Sequence, residues 1–116
     1  MLADAHREAA LDNEETIAHM GDLANWPRAN RLVIDGYWGA AFHWIAYGCH
    51  QKHGKHKEKH SGLVSYLREF GEGETSTRWE KLENVRNGGW YGHQHLPEDV
   101  DEARQLWEEI RTWAQT

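Results

Sequence analysis

Apolar residues recur along this chain at three- and four-residue steps, and no segment shows sustained alternation. That pattern predicts amphipathic helices and no sheet. Residues 3–20 read as a first, weakly patterned helix through Ala5, Ala9, Ile17 and Met20. Asn25-Trp26-Pro27 reads as a helix start, because the missing N–H of proline costs nothing in a first turn. The helix it opens runs to about Cys49, on a stripe of Ile34, Trp38, Ala41, Phe42, Ile45 and Cys49. Gly36, Gly39 and Gly48 weaken it in isolation, so packing must hold it. The small residues at 36, 39, 40 and 41 let another helix approach closely. Ser61-Gly62 leads into a short third helix with Leu63, Val64, Leu67 and Phe70, ended by Gly71-Glu72-Gly73. Ser76 or Thr77 caps a fourth, with Glu80 completing a capping box and Trp79, Leu82 and Val85 as its stripe. Gly88-Gly89 or Gly92 ends it. Pro97-Glu98-Asp99 opens a fifth, with acids at the favourable end and a stripe of Val100, Ala103, Trp107, Ile110 and Ala114. The expected fold is all-α: an up-down bundle of four to five helices with short loops, one domain over residues 1–116.

Composition narrows the class. With 39% hydrophobic and 28% charged residues the chain is an ordinary globular one. Seven Trp residues argue for a packed core or an aromatic-rich contact surface. Cys49 stands alone, so neither an internal disulfide nor a cysteine zinc site can form, and a reducing, cytoplasmic setting is expected. The first residues lack the build of a signal peptide. No apolar run approaches a membrane span. A net charge of −6 excludes a strongly basic nucleic-acid coat and leaves room for a local basic site. Gln51 to His60 is such a segment, with four Lys and three His against one Glu.

Three constellations could carry chemistry. Arg86 and His93 are seven positions apart, about two turns, and share a face if the fourth helix continues. An arginine holding phosphate oxygens and a histidine moving a proton suit RNA phosphodiester cleavage without a metal. The plainer reading pairs Arg86 with a nearby acid and leaves His93 exposed. The second constellation is His50, His53, His56 and His60, which include metal-ligand spacings. Gly54 and the neighbouring lysines oppose a helix and repel a cation, so a solvated basic loop is expected, with Lys55, Lys57 and Lys59 available to RNA phosphates. No metal ligand and no cofactor is assigned. Third, Trp90 and Tyr91 lie beside Arg86 and His93 and are candidates to stack bases, or else core or subunit contacts. Cys49 and His50 are neighbours whose side chains point apart, so they make no nucleophile pair.

Together these residues resemble the HEPN (higher eukaryote and prokaryote nucleotide-binding) domain over roughly residues 26–114. Tyr37-Trp38-Gly39-Ala40-Ala41-Phe42-His43 is similar to the family's second-helix pattern of an aromatic, small residues and Phe-His. Lys59-His60-Ser61-Gly62-Leu63 is similar to its entry into the third helix. Leu82 to Asn87 followed by His93 fits its motif of Arg, a polar residue and a later His. Pro97-Glu98-Asp99 with Ala103 is similar to the start of its last helix. The resemblance implies a helical bundle that pairs two-fold, bringing two Arg…His motifs into one cleft. It implies metal-independent endoribonuclease activity leaving a 2′,3′-cyclic phosphate, as in small prokaryotic toxins paired with a nucleotidyltransferase antitoxin. Arg86 and His93 are then catalytic, and Asn87 orients them or touches RNA. The best-known toxin branch carries a tyrosine two positions after the motif histidine, where its antitoxin adds AMP; this chain has His95 there, with Tyr91 near. Some members bind rather than cut. A non-catalytic module for a nucleotide, RNA or a protein, or a bundle that serves only to dimerise, stay open beside the nuclease.

Overall fold

The computed structural model describes residues 2–20, 29–88 and 95–116. They form five helices, α1 (Ala3–His19), α2 (Ala29–His53), α3 (Leu63–Glu69), α4 (Gly73–Asn87) and α5 (Pro97–Gln115), and no strand among the described residues. The all-α expectation holds, as a five-helix bundle.

α2 is the central element. It buries Ile34, Ala41, Ile45 and Cys49 of the expected stripe, and also Tyr37, Ala40, Trp44 and Ala46. A helix apolar on several faces belongs inside a bundle, which explains why one stripe understates it. Its partners can be ordered by register. Ile17 meets Gly36 and His6 meets His43, so α1 runs antiparallel to α2. Asp35 meets Arg86 while Phe42 meets Trp79, so α4 is antiparallel too. Tyr37 packs on Trp107 and Gly48 on Trp113, so α5 runs parallel.

Glycine permits two of these approaches. A Cβ on Gly36 would lie 2.7 Å from Ile17 Cγ1, and one on Gly48 would lie 2.6 Å from Trp113 Cζ3. The expected small-residue face meets α1 at Gly36 and Gly39, and Gly48, outside that set, gives the close approach to α5.

Of the five described tryptophans, Trp44, Trp107 and Trp113 donate their indole N–H to carboxylates, while those of Trp38 and Trp79 are buried with no hydrogen-bond partner among the described residues. Glu14 Oε1 of α1 accepts from the indole N–H of Trp44 (2.9 Å) and of Trp107 (3.0 Å), joining α1, α2 and α5 through one group. Glu72, just before α4, accepts from the Trp113 indole at 2.8 Å. A charged acceptor makes each of these three bonds stronger than a neutral one would.

Helix limits depart from expectation in three places. α2 continues past Cys49 to His53, because Gly54, with φ +74°, is the first residue that leaves helical geometry. Its predicted start at Asn25-Trp26-Pro27 lies outside the described residues. α4 begins at Gly73, ahead of the predicted cap. Ser76 is instead buried inside the helix and donates to the Val64 carbonyl of α3 at 3.0 Å, while Thr77 donates to Gly73 one turn back. Tertiary contact to α3 thus replaces the local cap that the sequence offered. α5 starts as expected at Pro97, with the Asp99 carboxylate accepting from the Leu96 N–H at 2.8 Å. No described helix is long and apolar enough to cross a membrane.

Candidate functional site

Arg86 sits in the last turn of α4, where α4 crosses α2. Its guanidinium lies over the Trp38 ring, 4.0 Å from the centroid. Its Nε–H donates to Asp35 Oδ1 at 3.2 Å. Trp38 is fixed in turn by stacking on the fully buried Trp79, with centroids 5.5 Å apart. The arginine is therefore held on two sides: a ring below, a carboxylate at Nε. Among the described residues neither of its two terminal amino groups has a hydrogen bond, and the side chain is 24% exposed. An arginine so oriented presents a pair of donors suited to a phosphate or carboxylate. His60 packs edge-on against the same Trp38 ring at 5.0 Å, which places an exposed imidazole at this end of the bundle. Asp35 and His60 were not singled out by sequence reasoning as parts of this site. Their only signal was aromatic context, since Asp35 is 51 positions from Arg86.

Asn87 is half-buried at the last position of α4, next to Arg86 and before the Gly88 cap. His93, Trp90 and Tyr91 lie outside the described residues. His95 is described and is buried, with its Nε2 at 2.9 Å from the Val85 carbonyl and its own carbonyl accepting from Asn30. His95 thus pins the start of α5 to α4 and α2.

The lysines divide. Lys55 and Lys59 are exposed in the loop after α2, whereas Lys57 is half-buried and donates to the Ser61 carbonyl. Of the four histidines of the second constellation, His50 and His56 meet, while His53 and His60 turn elsewhere. His53 turns to Glu72, with Nε2 3.0 Å from Oε1, and stacks on Phe70. His60 goes to Trp38. His56 folds inward, so this part of the loop is not the fully solvated one that composition suggests. Its Nδ1 lies 3.1 Å from His50 Nδ1, and its Nε2 2.7 Å from Glu58 Oε1. His6 of α1 faces the same carboxylate, with Nε2 3.3 Å from Glu58 Oε2. His6 Nδ1 lies 2.9 Å from His43 Nδ1. Burial pushes the pKa of His6 and of His43 down, against the opposing pull of Glu58 on both. This polar cluster joins α1, α2 and the loop and lies on the far side of Phe42 and Trp79 from Arg86.

The chain matches no protein-family model, no curated protein and no solved structure.

Proposed function

We propose that the protein is a HEPN-type endoribonuclease acting on RNA without a metal in the reaction. The observation that supports this best is the posture of Arg86: braced by Trp38 and Asp35, with two amino groups that have no hydrogen bond among the described residues. In this reading those groups hold the non-bridging oxygens of the scissile phosphate. The 2′-oxygen attacks phosphorus and forms the cyclic phosphate as the bond to the 5′-oxygen breaks. His93 of one protomer accepts the 2′-hydroxyl proton and His93 of its two-fold partner returns one to the leaving oxygen. Asn87 orients the pair, and Trp90 and Tyr91 stack bases. Lys55 and Lys59 draw the RNA backbone in, with Lys57 beside them. A nucleotidyltransferase-type antitoxin is the partner that would neutralise such an enzyme in a reducing cytoplasm.

The test is cleavage of single-stranded RNA in EDTA by the wild type, Arg86→Ala and His93→Ala. We expect cyclic-phosphate ends from the wild type and a loss of about 100-fold or more in each variant. Equal cleavage by all three overturns the proposal.

A second reading is favoured by the Asp35–Arg86 pair and the net charge of −6, both of which weaken attraction for RNA. It makes the chain a non-catalytic module that binds a nucleotide, RNA or a protein. An inert wild type whose RNA binding disappears when Lys55 and Lys59 become Glu establishes that reading instead.

A further inference from the structure

We infer that His6, His56 and Glu58 form a binding site for a divalent transition metal that favours imidazole, with Zn2+ the probe of choice. The site is independent of the arginine site proposed for RNA. Three observations carry it. One ligand atom from each residue lies within 4.8 Å of the other two, although His6 is some fifty positions away in sequence. His6 is 1% exposed, and its Nε2 is a buried nitrogen with no hydrogen bond among the described residues, 3.3 Å from Glu58 Oε2. A buried nitrogen in that state costs stability unless something binds it. Ligands about 2 Å from a tetrahedral ion lie about 3.3 Å apart, so the two histidines and the carboxylate need only small shifts to surround one.

The third observation is the outer ring of partners. Metal-bound histidines use the second ring nitrogen to fix tautomer and orientation. Both candidate histidines have such a contact: His6 Nδ1 to His43 Nδ1 at 2.9 Å, and His56 Nδ1 to His50 Nδ1 at 3.1 Å. When both Nε2 atoms bind the metal, His56 giving up its 2.7 Å contact with Glu58 Oε1 to do so, each Nδ1 carries the proton and donates to its neighbour. His43 and His50, both on α2, then accept. Two imidazoles and a carboxylate leave a fourth position for water or another ligand. Phe42 packs edge-on against His6 and closes the apolar side. Such a metal would clamp α1 and the 54–62 loop onto α2.

The experiment is calorimetric titration of Zn2+ into the full, untagged chain, alongside Glu58→Gln, His56→Asn and a His53→Asn/His60→Asn control. His6 is left alone because its burial puts folding at risk. We expect one site per chain in the wild type and the control, weakened at least about tenfold in Glu58→Gln and in His56→Asn. Zn2+ at a hundredfold excess over Kd should raise the thermal midpoint of the wild type by roughly 10 °C. Co2+ should give the intense visible absorption of a four-coordinate complex. Absence of a Zn2+ site in the wild type overturns the inference. So does unchanged affinity in Glu58→Gln and His56→Asn, or loss confined to the control, which would place the ion on His53 and His60.

Discussion

Cys49 shows how burial decides the chemistry of a single residue. It is 1% exposed on the inner face of α2. Burial, with the charge of Glu72 adding to it, pushes the thiol pKa from 9.0 up to about 12. The neighbouring His50 points elsewhere, at His56, and does not activate it. The folded state therefore holds the proton in a range where the unfolded chain has lost it. The advantage of the neutral thiol is complete below pH about 9 and disappears as pH rises towards 12. Burial raises Tyr37 and Tyr66 as well, with the same sign. We expect iodoacetamide at pH 8 to leave the native thiol intact and to label the urea-unfolded chain fully, and the melting midpoint to fall as pH is raised above 9. Rapid labelling of the folded protein would refute this. Arg86 makes the complementary point, because its orientation is produced by Trp38 and Asp35 and not by its own helix.

At the scale of elements, α2 is held by close approach on two sides, and its glycines differ in what a methyl group would meet. A Cβ at Gly48 faces the Trp113 ring at 2.6 Å and the Ala114 Cα at 3.0 Å. The ring is anchored through its indole bond to Glu72, and the Cα is backbone, so neither yields readily. At Gly39 the nearest atom is the Asn13 amide nitrogen at 3.2 Å, the end of a flexible side chain. Alanine also improves helix propensity by about 1 kcal/mol over glycine. Gly48→Ala should therefore destabilise by about 1–3 kcal/mol, and Gly39→Ala should change stability by less than about 1 kcal/mol. Urea titrations followed by circular dichroism measure both. Equal effects at the two sites would show that α2 and α5 can separate without cost.

At the scale of the whole molecule, the proposed mechanism requires two chains. The described residues place one Arg86 at one end of one bundle, and proton donation and acceptance need two histidines at a shared phosphate. Light scattering at micromolar concentration should give twice the 13.5 kDa protomer mass. A protomer mass removes the shared-cleft mechanism. It leaves the proposed metal site standing, because all three of its ligands come from one chain.

The residue pattern alone was enough for the all-α class, a bundle of four to five helices, the start of α5 and the small-residue face of α2. Each of these rests on local periodicity, or on a residue whose backbone chemistry acts within one turn. Which residues meet across the bundle was decided by tertiary structure. The burial of Tyr37 and Trp44 follows from α2 having neighbours on several sides, which no single stripe encodes. Ser76 gives up a cap because the Val64 carbonyl comes within its reach. Asp35 reaches Arg86, Glu14 collects two indoles, and His6 joins His56 and Glu58 across long stretches of chain. Those meetings depend on helix direction and register, which pairwise packing sets and sequence spacing does not carry. The basic loop is the sharpest case. Its composition reads as solvated, yet one histidine in it turns inward because a buried histidine on α1 and a carboxylate on the loop itself lie there to meet it.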